Sequence, residues 1–260
     1  MVLDAGDLDA PAMQAIAADV GYSETAFLLP GADLRDREVR YFSPLAEVPF
    51  CGHATIATAV AHAERYGPGR LVLHTRSGPV QVTTVDGDGP PVATLVSVAP
   101  RVHPVAAADL DEALAALRWV AGELDPALPP RVAYAGASHL VLAAATRQRL
   151  ARLDYDYDRL RALMPRSGWT TVQLVPRTGP LTFDSRNPFP PGGVYEDPAT
   201  GAAAAAFGAY LADIGAADLP ARVTIAQGVE MGRSSTLVVD IPADPTGGIA
   251  VSGAAVRLPA

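Results

Sequence analysis

The sequence predicts an α+β fold built from two similar halves, and three observations carry that expectation. At 260 residues the chain is longer than a typical single domain. Two alanine-rich helical segments, Gly52 to Gly67 and Gly201 to Gly215, each open and close at a glycine. Each is followed by a β-rich stretch, so the chain reads as one pattern stated twice.

The first half begins with Asp9-Ala10-Pro11, a helix start with Pro in the first turn, and Met13, Ile16, Ala17 and Val20 recur at helical spacing up to Gly21. Strands are expected at Ser23–Leu29 and Val39–Ser43, and the run Leu45–Phe50 leads into Gly52. The helix over 54–66 is small and apolar on nearly every side, which marks a buried helix. Strands follow at Leu71–Thr75, Val80–Val85 and Val92–Val98, punctuated by Ser77-Gly78 and the turn at 86–89.

The second half repeats the order. Helical pattern covers Asp109–Leu117 and a stretch from Asp156 or Asp158 to Met164. Strands are expected at Val132–Ala133, Leu140–Ala144, Thr171–Pro176 and Leu181–Ser185, then after the second alanine helix at Val223–Ala226 and Thr236–Ile241. The domain expectation is 1–104 with central helix 54–66 and 105–260 with central helix 201–214, with a C-terminal tail that can return to the first half.

Composition excludes several function classes. Nearly half the residues are apolar and the net charge is −8, the wrong sign for a phosphate backbone, so no nucleic-acid partner is expected. A small anionic ligand must be held by local devices such as helix N-termini. No apolar run approaches the roughly 18 residues of a membrane span, and the acidic start lacks a secretory pattern, so a cytoplasmic protein is expected. All twenty basic residues are Arg. Without a lysine the chain cannot form the pyridoxal phosphate Schiff base or a P-loop or kinase phosphate site.

The candidate sites are few. Asp154, Asp156 and Asp158 alternate like a calcium loop, but Arg159 and Pro165 stand where that loop needs Gly and Glu, so the segment reads as a helix start. The five histidines form no helical pair and there is one cysteine, so no zinc site and no disulfide is expected. His62 and His74 read as structural, and Ser138 is not in a nucleophile elbow. Cys51 at a helix start could be an activated thiol, although a free cysteine is more often a small buried hydrophobe. Glu24, among apolar neighbours, would have its pKa raised by desolvation and so suit proton transfer near neutral pH. Asp197, just ahead of the second alanine helix, could cap it or face its dipole.

MQAIAADVGYSETAFLLP (13–30), RYFSPLAEVPFCGHATIATA (40–59), EDPATGAAAAAFGAYL (196–211) and VTIAQGVEMGRSSTL (223–237) resemble the PhzF-like (phenazine-biosynthesis) isomerases, relatives of diaminopimelate epimerase and proline racemase. The combination of SET-x-F, CGHAT, EDP-x-TG and QG-x-EMGR covers most of the chain in the family's order. The resemblance implies two pseudo-symmetric domains, each a largely antiparallel sheet wrapped around a central helix, with the active site in the interdomain cleft and no metal or organic cofactor. It implies Glu24 as the acid/base residue, with His53 and Asp197 in proton handling and substrate orientation. Gly52 and Gly201 would open the two helices towards a substrate carboxylate, with Cys51, Ala54 and Ala202 lining the pocket. Amino-acid racemases of this fold use two cysteines, so Cys51 reads as a pocket rim. Ala202 replaces a family serine, which removes a polar contact. The family pattern also has a strand and a GNP motif ahead of the position of Met1, so an open sheet edge and a homodimer are expected.

The function implied is a cofactor-independent isomerase moving a proton on a small chiral carboxylic acid. The alternatives are an amino-acid racemase or epimerase using a Glu24/Asp197 pair, and a non-catalytic binding protein of the same fold.

Overall fold

Asp9 caps the first helix, α1 (Ala10–Val20), by accepting the Ala12 N–H at 2.9 Å, and Gly21 ends it in the left-handed region at φ 69°. In this computed structural model, which describes residues 1–256, the chain falls into two compact units. The first comprises residues 1–96 and the tail from Ser252, and the second runs from Ser97 to Val251.

In the first unit, β1 (Thr25–Asp33) and β2 (Asp36–Phe42) form an antiparallel pair, and β3 (Glu47–Val48) adds to the other end of β2. Helix α2 (Gly52–Tyr66) then crosses over to β4 (Gly69–Thr75), which lies parallel to β2 and antiparallel to β5 (Gly78–Val85). β6 (Val92–Val96) pairs with β5. Residues 2–5 run beside β1, with Val2 N–H donating to Ala26 O and Leu28 N–H to Val2 O, both at 2.8 Å. That side of β1 therefore has hydrogen-bond partners in its own chain.

The sequence of α2 explains its burial. Ala54, Ala59, Val60 and Ala63 pack into the apolar cluster with Leu71, Leu73 and Val82. Its polar residues are satisfied within the unit: Thr55 and Thr58 hydroxyls donate to Cys51 O and Ala54 O at 2.7 Å, and Tyr41 shares a 2.6 Å bond with Thr55. His62 bonds Leu34 O at 2.7 Å, the structural role its position suggests.

The second unit opens with β7 (Arg101–Pro104) and α3 (Ala107–Leu117), followed by β8 (Arg131–Tyr134) and β9 (Ser138–Ala143). α4 (Arg147–Ala151) and α5 (Tyr157–Arg166) cross to β10 (Thr171–Val175), giving a four-stranded sheet ordered β10-β9-β8-β7. The sequence placed the domain boundary at 104/105; the compact unit begins at Ser97 because β7 pairs along its length with β8. Asp156 caps α5, accepting the Arg159 N–H at 3.0 Å.

Then β11 (Arg177–Gly179) and β12 (Thr182–Ser185) form an antiparallel pair, and β13 (Asn187–Pro188) pairs with β14 (Glu196–Asp197). Helix α6 (Gly201–Asp213) crosses over to β15 (Ala221–Gln227), parallel to β12 and antiparallel to β16 (Ser235–Ile241). β17 (Ala250–Ala254) carries the chain back to the first unit. Hairpin, helix, hairpin is thus the order in both units: β1-β2-α2-β4-β5 and β11-β12-α6-β15-β16. The two halves are pseudo-symmetric, with largely antiparallel sheets around a central helix.

α6 is buried from Ala203 to Leu211, and alanines let it lie close to its sheet. At Gly208 a Cβ would come within 2.7 Å of Val239 and 3.0 Å of Ile249, so backbone approach demands glycine there. Among the described residues no helix is long and apolar enough to cross a membrane.

His139 on β9 is fully buried, its Nδ1 2.8 Å from the Thr171 hydroxyl, and burial pushes its pKa down to about 3. The unfolded chain takes up this proton below 6.5 while the folded chain stays neutral, so the unfolded state binds more protons and stability falls as pH falls. At about 1.4 kcal/mol per pH unit, this one group costs about 2 kcal/mol by about pH 5. Urea unfolding at pH 7 and pH 5 should show that extra loss in the wild type and not in His139→Gln; equal losses would place the pH sensitivity elsewhere.

Candidate functional site

Glu24 lies one residue before β1, in the connector that follows α1, rather than inside a strand. The strand begins at Thr25, and its burial fixes where Glu24 leaves the sheet. Cys51 is the extended residue ahead of α2, with φ −145°, and His53 is in the first turn of that helix. Chain separation disappears here: the Glu24 carboxylate is 3.2 Å from His53 Nε2, and Ser23 Oγ is 3.4 Å from the same nitrogen. The Cys51 sulfur sits 3.5 and 3.6 Å from the two ring nitrogens of His53. Glu24, Cys51, Gly52, His53 and Ala54 are therefore one cluster at the N-terminus of α2.

The electrostatics differ from the expectation at Glu24. Burial raises its pKa, but hydrogen bonds and charge from His53, with Ser23 and Cys51, outweigh it and hold the carboxyl below the ordinary 4.5. Glu24 is ionised at neutral pH and can accept a proton without first losing one. The sign for stability follows: this favourable contribution is present above pH 4.5 and is lost as pH falls through the lowered folded value. A titration of the Glu24 carboxyl carbon by NMR should give a midpoint below 4.5; a higher midpoint would mean that desolvation dominates.

Cys51 goes the other way. Burial pushes its thiol up, and the neighbouring His53 and the Ala54 amide only partly offset this. The side chain is 7% exposed and packs in the first unit's apolar cluster. With its pKa pushed above the ordinary 9.0, the thiol is protonated at neutral pH.

In the second unit Asp197 ends β14, opposite Asn187 on β13, and is 6% exposed. It does not cap α6; Thr200 occupies that position, but its hydroxyl accepts no helix N–H and donates at 2.7 Å to Asp197 Oδ2. Gln227 on β15 completes a clamp. Its amide donates to Asp197 O at 2.7 Å and to Thr200 Oγ1 at 3.0 Å, and its carbonyl accepts the Thr200 N–H at 3.2 Å. Gly228 follows in the left-handed region at φ 76°, where a Cβ would stand 2.8 Å from Pro198 O and 2.4 Å from Arg233 O. The clamp explains why glutamine and glycine stand together. Gly201 and Ala202 open α6 next to it.

Sequence reasoning missed Ser23, Thr200 and Gln227 as supports. Each stands inside a quoted motif (SET, EDPATG and QGVEMGR), so the signal was present but its geometry was not. Glu24, Cys51 and His53 also present a carboxylate, a thiol and an imidazole within 4.8 Å of one another, but the sulfur lies against the imidazole ring, so the cluster does not fit a metal ion.

A sequence profile described as "Phenazine biosynthesis-like protein" matches residues 1–259. The chain belongs to this family. An uncharacterized isomerase of Mesorhizobium japonicum is 33% identical over 254 residues, covering 93% of this chain and 84% of the relative. The trans-2,3-dihydro-3-hydroxyanthranilate isomerase of Pseudomonas chlororaphis is 31% identical over 234 residues, 90% of this chain and 81% of that enzyme. Among solved structures, a predicted epimerase of Pseudomonas aeruginosa superposes with a TM-score of 0.85 at 30% identity, over 97% of this chain and 88% of that one. As a member of the phenazine biosynthesis-like family with this epimerase-type fold, the chain is an enzyme of the isomerase class.

Proposed function

We propose that this isomerase moves a proton on a small chiral carboxylic acid by acid/base catalysis from its own side chains, with Glu24 as the proton carrier. The observation that carries this reading is a mostly buried carboxylate kept ionised 3.2 Å from an imidazole at the mouth of a helix. Glu24 removes a proton from a carbon whose electron pair can delocalise, and returns it elsewhere on the substrate or on its other face. His53 holds the carboxylate and shares the proton. The Gly52 and His53 amides favour the substrate's anionic group. The family motif gives Asp197 a role in substrate orientation and proton handling, and its clamp by Thr200 and Gln227 supports a fixed carboxylate. A positioned acid/base group of this kind contributes on the order of a hundred- to ten-thousand-fold.

The named relative suggests the substrate class: a cyclic acid with a proton next to a conjugated system, of which trans-2,3-dihydro-3-hydroxyanthranilate is the first to try. Proton NMR of that compound and a panel of small cyclic and amino acids in deuterated water tests the reading. Deuterium should enter a carbon position of at least one compound only when enzyme is present. An unexchanged panel would reject proton-transfer catalysis on this substrate class.

A further inference from the structure

Beside Asp197 lies a buried amide that bonds to no protein group. Asn187 stands directly opposite Asp197 across the β13–β14 pair, where facing residues hold their Cβ atoms about 4.5–5.5 Å apart. Side chains alternate along a strand. The Arg186–Glu196 ion pair takes one face, so Asn187 and Asp197 share the other. Asn187 is 0% exposed, and neither its Oδ1 nor its Nδ2 has a hydrogen-bond partner among the described residues. Exchanging the two amide atoms therefore repairs nothing. On the far side, the antiparallel bridge between Leu174 and Arg186 sets Gln173 of β10 beside Asn187. Gln173 is 1% exposed, and its Oε1 is likewise without a partner.

A buried amide left unpaired destabilises a fold, and a leucine of similar size would carry no such penalty. The asparagine therefore needs a reason outside the resting fold. Its neighbours supply one. An amide nitrogen carries two N–H donors, and this one stands between two acceptors, the Gln173 carbonyl and the Asp197 carboxylate. A carboxylate accepts about four hydrogen bonds, and Thr200 supplies one at Oδ2.

We propose that Asn187 is a positioning residue for Asp197: its amide closes on the Asp197 carboxylate in the transition state, while Gln173 holds its second N–H. Hydrogen bonds of this kind are often loose in the free enzyme and tighten only during turnover. Thr200 fixes one oxygen of the carboxylate, and Asn187 fixes the plane of the group. The proposal rests on the reading of Asp197 as a substrate-orienting carboxylate.

The test is Asn187→Leu in the full chain, read by deuterium exchange and by thermal unfolding. The substrate is the first compound of the panel that exchanges with wild type. kcat should fall roughly 10- to 100-fold, the worth of one hydrogen bond to a charged group. KM should stay unchanged, because a bond made only in the transition state lowers kcat and kcat/KM together. Tm should hold or rise by a few degrees, since an unpaired buried group has been removed. A purely structural asparagine gives the reverse, a lower Tm with kcat kept, and that pattern overturns the proposal. Asn187→Ala, too small to clash, repeats the kinetic half should the leucine not fold; undiminished kcat in either variant is equally fatal. Gln173→Leu should slow turnover in the same direction, and the double variant should be no slower than Asn187→Leu alone. Losses that multiply would remove Gln173 from the arrangement. Wild type that exchanges nothing defeats the proton-transfer reading and this proposal with it, whereas wild type and Asn187→Leu exchanging alike defeats this proposal alone.

Discussion

Glu24→Gln should lower kcat by on the order of 10² to 10⁴ while leaving the fold and substrate affinity nearly intact, a loss equivalent to about 3–5 kcal/mol of transition-state stabilisation. Glutamine keeps the size of the side chain and a carbonyl that can still accept from His53. It removes only the ability to take and return a proton. The isosteric change at a side chain that is 11% exposed should shift Tm by no more than a few degrees. A second variant sharpens the assignment. In His53→Gln the carboxylate loses the partner that overrides its desolvation, so the Glu24 pKa should rise above 4.5 and carry the acid limb of kcat/KM upward with it. Single-turnover exchange across pH measures both effects. Full exchange in Glu24→Gln would reassign the proton carrier, and an unmoved acid limb in His53→Gln would show that another group sets it.

How much of this was legible in the sequence depends on distance along the chain. The glycine-bounded helices α2 and α6 read directly, because small apolar residues on all sides leave burial as the only stable option. The repeated hairpin-helix-hairpin order followed from them. The direction of the Glu24 shift did not, because its cause, His53, comes 29 residues later (53 − 24) and no local pattern joins them. Apolar neighbours predicted desolvation, and the His53 imidazole, with smaller contributions from Ser23 and Cys51, reversed the outcome. The Asp197 clamp was hidden in the same way, with Gln227 contributed by β15 after the whole of α6. Short elements escaped for a different reason. α4 is five residues long and begins at the Thr146 cap, and β7 spans four residues; neither is long enough to display a period. Their existence is decided by partners: Arg186, for instance, donates to Leu150 O and Ala151 O at the end of α4.

That arginine also carries the largest stability effect expected in the second unit. Arg186 and Glu196 form a two-pronged ion pair, with Nε donating to Oε2 at 2.8 Å and the far nitrogen to the other carboxylate oxygen, at 8% and 7% side-chain exposure. Glu196→Ala should cost about 3–5 kcal/mol, because it leaves a guanidinium buried without its counter-charge. Arg186→Met with Glu196→Leu should cost far less than either single change, since no buried charge remains. The pair also bears on the site. Glu196 directly precedes Asp197 on the two-residue strand β14, so a shift of Glu196 displaces the carboxylate that Thr200 and Gln227 hold. Stability and turnover should therefore separate: the double variant recovers much of the unfolding free energy, while its turnover depends on whether β14 keeps its register against β13. Urea unfolding of the two single variants and the double gives the coupling energy. A Glu196→Ala cost below about 1 kcal/mol would mean that the pair is as weak as an exposed one, and that the clamp around Asp197 stands without it.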